Sequence, residues 1–158
     1  MNNRVWVYAS LQKFSNEVEK DIRERLSLFL GEWNAHGIAL KADFDVLFHH
    51  LVIISVDEKQ SSASGCSIDK QVQFMKDLGK KHGIDFFNRL LIAFEKNDEF
   101  FIYPSSTTRA LFDSEVIKED TQVFDMTVST EEQYRTAFKV PITKTWLSKY
   151  IPKVSEQQ

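Results

Sequence analysis

Residues 51–56 form the apolar run that most constrains how this chain can fold. The run reads Leu-Val-Ile-Ile-Ser-Val, so a strand built from it is apolar on both faces. Such a strand must be covered on both sides, which is typical of the centre of a sheet. Residues 40–48, just before it, alternate between apolar and mostly polar side chains, as expected of a half-buried strand. The two runs predict a hairpin whose second strand is central.

Two amphipathic helices flank this hairpin. In the first, apolar residues recur at spacings of four and three, and Gly37 is well placed to end the helix in a left-handed conformation. This stripe contains Phe14, Val18, Ile22, Leu26, Phe29 and Trp33. In the second helix, over residues 68–78, Ser67 is the expected N-cap and Gly83 the expected stop. Each helix is expected to bury one face.

The order of these elements indicates an α+β fold. Strands over residues 4–8 and 90–94 complete the order strand, helix, strand, strand, helix, strand. That order matches a ferredoxin-like βαββαβ core with a mainly antiparallel sheet and both helices on one face. We expect residues 100–103 to pair with residues 90–94 as a hairpin.

The last third of the chain predicts an α/β extension of this core. A short helix is expected over residues 107–112 and strand character around residues 123–126. Ser129 and Glu132 have the spacing of a capping box, which predicts a helix over residues 131–138. A last amphipathic helix carries Trp146, Leu147 and Tyr150 on one side.

Length and composition predict one domain. The chain has 158 residues, 42% of them hydrophobic, which suffices for one well-filled core and is short for two. We expect a single α+β domain over residues 1–153 and a disordered tail over residues 154–158.

Charge and cysteine usage exclude several partners. The net charge is −3, and the lysines are spread among acids rather than gathered into a stripe, so we expect no nucleic-acid partner. The longest apolar run, residues 51–54, is too short to span a bilayer, so no membrane association is expected. The chain begins without a secretory signal and has a single cysteine, which favours a cytoplasmic location.

The loop over residues 61–69 is the one stretch whose composition suggests chemistry. It joins the apolar strand to the second helix through small residues and holds the only cysteine. The first amides of a helix lack intrahelical acceptors and attract anions. We therefore predict weak binding of a small anionic ligand, such as phosphate, at Ser64, Gly65, Cys66 and Ser67. We expect no cofactor. We also expect no metal, because the adjacent His49 and His50 would point to opposite faces of a strand, where they cannot easily bind one ion together.

The predicted topology also brings Cys66 toward His36. If the first strand runs upward, the first helix returns and leaves His36 at the lower end, where the exit loop of the third strand also opens. A thiol near a helix N-terminus and a histidine favours thiolate, so Cys66 is a candidate nucleophile or redox sensor with His36 as its base or ion-pair partner. The structural alternative is that Cys66 is a small buried side chain.

Five segments, residues 5–8, 33–37, 63–69, 84–90 and 120–125, resemble a family of small uncharacterised Bacteroidetes proteins. The resemblance extends over nearly the whole chain. Members are sometimes labelled ABC transporter ATPases, but the chain has no G-x-x-x-x-G-K-[ST] phosphate-binding loop, so ATPase activity of that type is not expected. The resemblance supplies no catalytic residues.

Three functions remain after these exclusions. The chain is expected to act as a non-enzymatic interaction or regulatory protein, with an unknown protein partner or a second copy of itself. A small anionic ligand at the 61–69 loop is the second possibility. The third is a cysteine-dependent enzyme or redox sensor that uses Cys66 and His36. Small-residue loops usually only turn the chain, which favours the first.

Overall fold

A computed structural model describes residues 3–59 and 61–152 and confirms the α+β class. The strands are β1 (Arg4–Ala9), β2 (Asn34–Ala35), β3 (Ile38–Ala39), β4 (Lys41–Leu47), β5 (Leu51–Asp57), β6 (Leu91–Lys96), β7 (Glu99–Pro104), β8 (Gln122–Phe124) and β9 (Lys139–Pro141). The helices are α1 (Asn16–Glu32), α2 (Gly65–His82), α3 (Thr108–Asp113) and α4 (Glu131–Ala137). Every strand pair within the described ranges is antiparallel. None of these helices is long and apolar enough to cross a membrane.

The chain divides into two compact units. The first contains the described residues up to Asn88 together with Met126–Thr136, and the second contains Arg89–Asp125 together with the described residues from Ala137 onward. One domain over residues 1–153 stays a prediction. The expected tail over residues 154–158 lies outside the described residues.

The sheet of the first unit has the strand order β1-β5-β4, so β5 is central as the apolar run predicts. Helices α1 and α2 pack on the same face of this sheet, because their apolar stripes share one core with alternate residues of β5. That core includes Ile22, Leu26, Met75, Leu78, Val52, Ile54 and Val56. Leu51 and Ile53, which alternate with these β5 residues, are also buried.

The full ferredoxin-like topology is not confirmed. The order β1-β5-β4 is that of its first three strands, but the expected fourth strand, found at Leu91–Lys96, belongs to a second sheet. The start of the β1 edge that a fourth strand would use is already occupied. Val5 N donates to Ser129 O at 3.0 Å, and Glu131 N donates to Asn3 O at 2.8 Å.

Helix α1 ends earlier than its apolar stripe predicts. It stops at Glu32, and Trp33 is extended while its indole Nε1 donates to Ser67 O at 2.7 Å. The expected stop, Gly37, instead forms the turn of the β2–β3 hairpin with His36, and both residues have positive φ. Asn34 Oδ1 accepts a hydrogen bond from Gly37 N at 3.2 Å and supports this turn.

The helix caps differ from the predicted ones by a few residues. The N-cap of α2 is Ser64 rather than Ser67, whereas the left-handed Gly83 ends the helix as expected. In the first turn of α4, Thr130 Oγ1 accepts from Gln133 N at 3.1 Å, so Thr130 takes the role predicted for Ser129. In each case the observed cap is another hydroxyl residue within three positions of the predicted one.

The second unit contains the sheet β7-β6-β8-β9. Its β6–β7 hairpin turns at Asn97 and Asp98, which both have positive φ, and α3 confirms the short helix predicted near residue 110. The last predicted helix is a 3-10 turn, Trp146–Tyr150. The core of this unit includes Ile92, Phe94, Ile117, Val123, Ile142 and Leu147.

Asp21 ties α1 to the end of α2. Its carboxylate accepts hydrogen bonds from Lys81 Nζ at 3.0 Å, His82 Nε2 at 2.6 Å and Arg25 Nε at 2.9 Å. These bonds, above all that from Lys81, hold the pKa of Asp21 well below its ordinary value of 3.8. The basic end of α2 therefore has a tertiary partner.

The hydrogen bonds of Asp21 predict that the free energy of unfolding falls at acid pH. A carboxyl with a lowered pKa stabilises the fold above its unfolded-state pKa, near 3.8, and this contribution is lost as the pH falls toward the lower folded-state pKa. We expect Asp21→Asn to reduce the free energy of unfolding at pH 6, and the difference from the wild type to shrink at pH 3. Urea unfolding measures this. Asp77→Asn, on an exposed side chain of α2 bonded to Gln73, is the control. An Asp21→Asn effect that is equal at both pH values would contradict the assignment.

Two helical glycines make a matched pair for testing the packing of α2. A Cβ at Gly79 would clash with the backbone oxygen of Ile84, whereas a Cβ at Gly31 of α1 meets nothing within 4 Å. We expect Gly79→Ala to lower the free energy of unfolding by about 1–3 kcal/mol through overpacking. Gly31→Ala should raise it by up to about 1 kcal/mol, because alanine favours helix. Thermal and urea unfolding check both, and equal effects would contradict the close approach at Gly79.

Candidate functional site

The predicted ligand loop is largely occupied by its own capping bonds. Ser67 N donates to Ser64 Oγ at 3.2 Å, and Ser64 N donates to Ser67 Oγ at 2.8 Å. The Ser67 hydroxyl in turn donates to Ser64 O at 2.8 Å, and Ser67 is buried. The hydroxyls of Ser64 and Ser67 are therefore engaged with each other and with the backbone in a capping box.

The amides of Gly65 and Cys66 remain as the donors of this loop for an anion. Both residues are exposed, at the first two positions of α2. A carboxylate lies in the same loop, because Glu58 Oε2 accepts from Ala63 N at 3.2 Å, and its negative charge opposes an anionic ligand. Anion binding at Ser64, Gly65, Cys66 and Ser67 stays a prediction, with fewer donors than the sequence indicates.

Cys66 and His36 are both exposed. The structural alternative that Cys66 is buried is therefore wrong. The end of α1 does reach the start of α2, through the bond from Trp33 to Ser67, but His36 lies beyond it in the turn of the β2–β3 hairpin. Among the residues described, no hydrogen bond joins His36 to Cys66.

The adjacent histidines have separate partners. His49 Nδ1 lies 2.8 Å from Glu19 Oε1, and His50 Nδ1 lies 2.8 Å from Ser10 O. Burial lowers the pKa of His50 and favours its neutral form. Within residues 3–59 and 61–152, no group of three or more histidine, cysteine, aspartate or glutamate side chains is arranged to hold a metal ion.

A groove of about 400 Å³ lies in the first unit and was missed by the sequence analysis. It runs along β4 and β5 and is bordered by the start of β1 and by α4, and we call it the acidic groove. Its polar lining residues are Asn3, Lys41, Asp43, Asp45, Ser55, Asp57, Glu131 and Tyr134. Val5 and Ile53, both buried, also line it. The groove thus combines an apolar floor with carboxylates at its border.

Some of these carboxylates have partners inside the groove. Asp57 Oδ2 lies 3.9 Å from Lys41 Nζ, and Glu131 Oε2 accepts from Asn3 Nδ2 at 2.6 Å. Asp43 and Asp45 are exposed, and no ion pair joins either to a basic side chain in the described part of the chain. Their negative charges are therefore available to a ligand.

Asp43 and Asp45 instead bind amides of their own strand. Asp43 Oδ1 accepts from Phe44 N at 2.8 Å, and Asp45 Oδ1 accepts from Val46 N at 3.1 Å. In an antiparallel strand, alternate residues direct their backbone groups to the same neighbour. The amides of Phe44 and Val46 thus face the outer edge of β4, away from β5.

Tyr134 of α4 approaches the same strand from the other side of the groove. Burial, with the nearby negative charge of Asp45, raises the pKa of Tyr134, so its phenol stays neutral at physiological pH. The helix is held in place by the bonds between Asn3 and Glu131. A tertiary contact between two residues far apart in sequence therefore fixes this border of the groove.

The sequence carried only a partial signal for this groove. Lys41, Asp43 and Asp45 alternate with apolar residues, which identifies them as the polar face of a half-buried strand. That alternation does not show that β4 is an edge strand or that α4 lies beside it. The two aspartates at alternate positions of this polar face were the one available indication.

The comparisons with known proteins add no assignment. The chain matches no protein-family model, no curated protein and no solved structure. The resemblance to the Bacteroidetes family stays a prediction.

The placement of His36 predicts that it does not activate Cys66. We expect iodoacetamide to label Cys66 in the folded protein, because the thiol is exposed, and His36→Asn to leave the rate unchanged from pH 6 to pH 9. Mass spectrometry follows the alkylated fraction, with the urea-unfolded protein as the reference. A several-fold slower reaction in His36→Asn, seen only in the folded protein, would support the hypothesis that Cys66 and His36 form a cysteine-dependent enzyme or redox sensor.

Proposed function

We propose that the chain is a non-enzymatic interaction module that binds a positively charged segment of a protein partner in the acidic groove. The carrying observation is the pair Asp43 and Asp45, two exposed carboxylates without a basic partner among the described residues. A cationic segment supplies the charges that they lack.

The other functions have less support. Cys66 is exposed, and no hydrogen bond joins it to a base among the described residues, whereas a nucleophilic thiol is usually activated by a base bonded to it. The hydroxyls of Ser64 and Ser67 are engaged in the capping box, and Glu58 places a negative charge beside the loop. In the acidic groove, by contrast, Asp43 and Asp45 carry negative charges that no basic side chain balances among the described residues.

Binding in this groove should be weak and sensitive to salt. An exposed ion pair contributes about 0.2–1 kcal/mol, and two such pairs correspond to roughly 2- to 30-fold in affinity. Ions in solution weaken the attraction between exposed charges, and the distance over which this attraction decays, the Debye length, is about 10 Å at 0.1 M salt. We therefore expect a transient interaction whose affinity falls steeply as salt is added.

A synthetic peptide tests the proposal. The probe is an eight-residue peptide of alternating lysine and threonine with blocked ends, and its binding to the full chain is followed by fluorescence anisotropy in 50 and 300 mM NaCl. We expect the double variant Asp43→Asn, Asp45→Asn to bind about 2- to 30-fold more weakly than the wild type at low salt. The difference should shrink at high salt.

Controls separate groove binding from general attraction to an acidic protein. Asp77→Asn removes one exposed negative charge from α2 and should leave the affinity unchanged. A peptide with glutamate in place of lysine should not bind. Equal affinities of the wild type and the double variant for the lysine peptide would overturn the proposal.

A further inference from the structure

We infer that the partner segment binds as an added β-strand along the outer edge of β4. This inference rests on the proposed function and adds to it the conformation in which the cationic segment binds. Strand β4 is the last in the order β1-β5-β4, and no further strand pairs with it within the described ranges. An edge strand presents backbone donors and acceptors that an extended peptide can pair with. The acidic groove lies along the same strand.

Asp43 and Asp45 have two roles at this edge. In the absence of a partner, they accept from the outward amides of Phe44 and Val46, so these donors are satisfied by the chain itself. Exposed edges are commonly protected from pairing by charged side chains. When a cationic strand arrives, its basic side chains attract the two carboxylates, and its carbonyl groups take over the two amides.

The spacing of the two aspartates favours a strand over a helix. Asp43 and Asp45 are alternate residues of β4, so their side chains share one face about 7 Å apart. Basic residues at alternate positions of an added strand repeat at that same spacing. Basic residues on one face of a helix recur every three or four positions, closer together at roughly 5–6 Å.

The same charges argue against a second copy of this chain on the edge. Pairing β4 with β4 of another copy would bring Asp43 and Asp45 of both copies together, and like charges on neighbouring strands are destabilising. Complementary charge selects a basic segment of another protein.

Backbone methylation of the peptide tests strand addition separately from charge. Two versions of the lysine-threonine peptide carry N-methyl groups either on the two central threonines or on the two central lysines, and both keep all four positive charges. In an added strand, the amides of only one set face β4. We expect one version to bind at least tenfold more weakly than the parent peptide and the other to bind like the parent. The parent should also shift the amide resonances of Phe44 and Val46.

The possible outcomes separate this inference from the proposed function. If both methylated peptides bind like the parent, strand addition is overturned while binding of a cationic segment stands. If the parent peptide does not bind, both fail. Sedimentation of the full chain without peptide should show a monomer. A dimer that dissociates when the parent peptide is added would identify a second copy as the natural occupant and overturn the inference.

Discussion

Burial of β5 on both of its faces is the constraint on which the first unit depends. Leu51, Val52, Ile53 and Ile54 are each at most 4% exposed, so this strand requires a neighbour on either side and side-chain packing over each face. Strands β1 and β4 are those neighbours, and α1 and α2 cover one face. Once β5 is central, β4 becomes an edge strand. The burial of β5 therefore places the charges of β4 at the edge of the sheet.

The two edges of this sheet differ in what occupies them. The edge of β1 is occupied by the segment that leads into α4, through the bond from Val5 to Ser129. The edge of β4 has no such segment among the residues described, and its outward amides at Phe44 and Val46 are bonded to Asp43 and Asp45. One edge is closed by the chain, and the other is protected by charges that a basic partner can bind.

Periodicity predicted most elements of this fold because helices and strands bury characteristic faces. It failed where a distant contact decides the outcome. The bond from the Trp33 indole to Ser67 accompanies the early end of α1, and residues 129–131 occupy the start of the β1 edge that a fourth strand would use. The loop predicted over residues 61–69 is shorter in the structure, because α2 begins at Gly65 with Ser64 as its N-cap. The acidic groove was missed because α4 and β4 are far apart in sequence.

Amide hydrogen exchange of the full chain without a partner tests the central claim most directly, namely that β4 is an edge strand whose outward amides are held only by aspartates. Asp43 and Asp45 should exchange slowly, because their amides face β5, whereas Phe44 and Val46 should exchange much faster. Alternation along β4, with the slowest exchange in β5, is the predicted result. Uniformly slow exchange at all four β4 residues would show that this edge is already paired and would contradict the account.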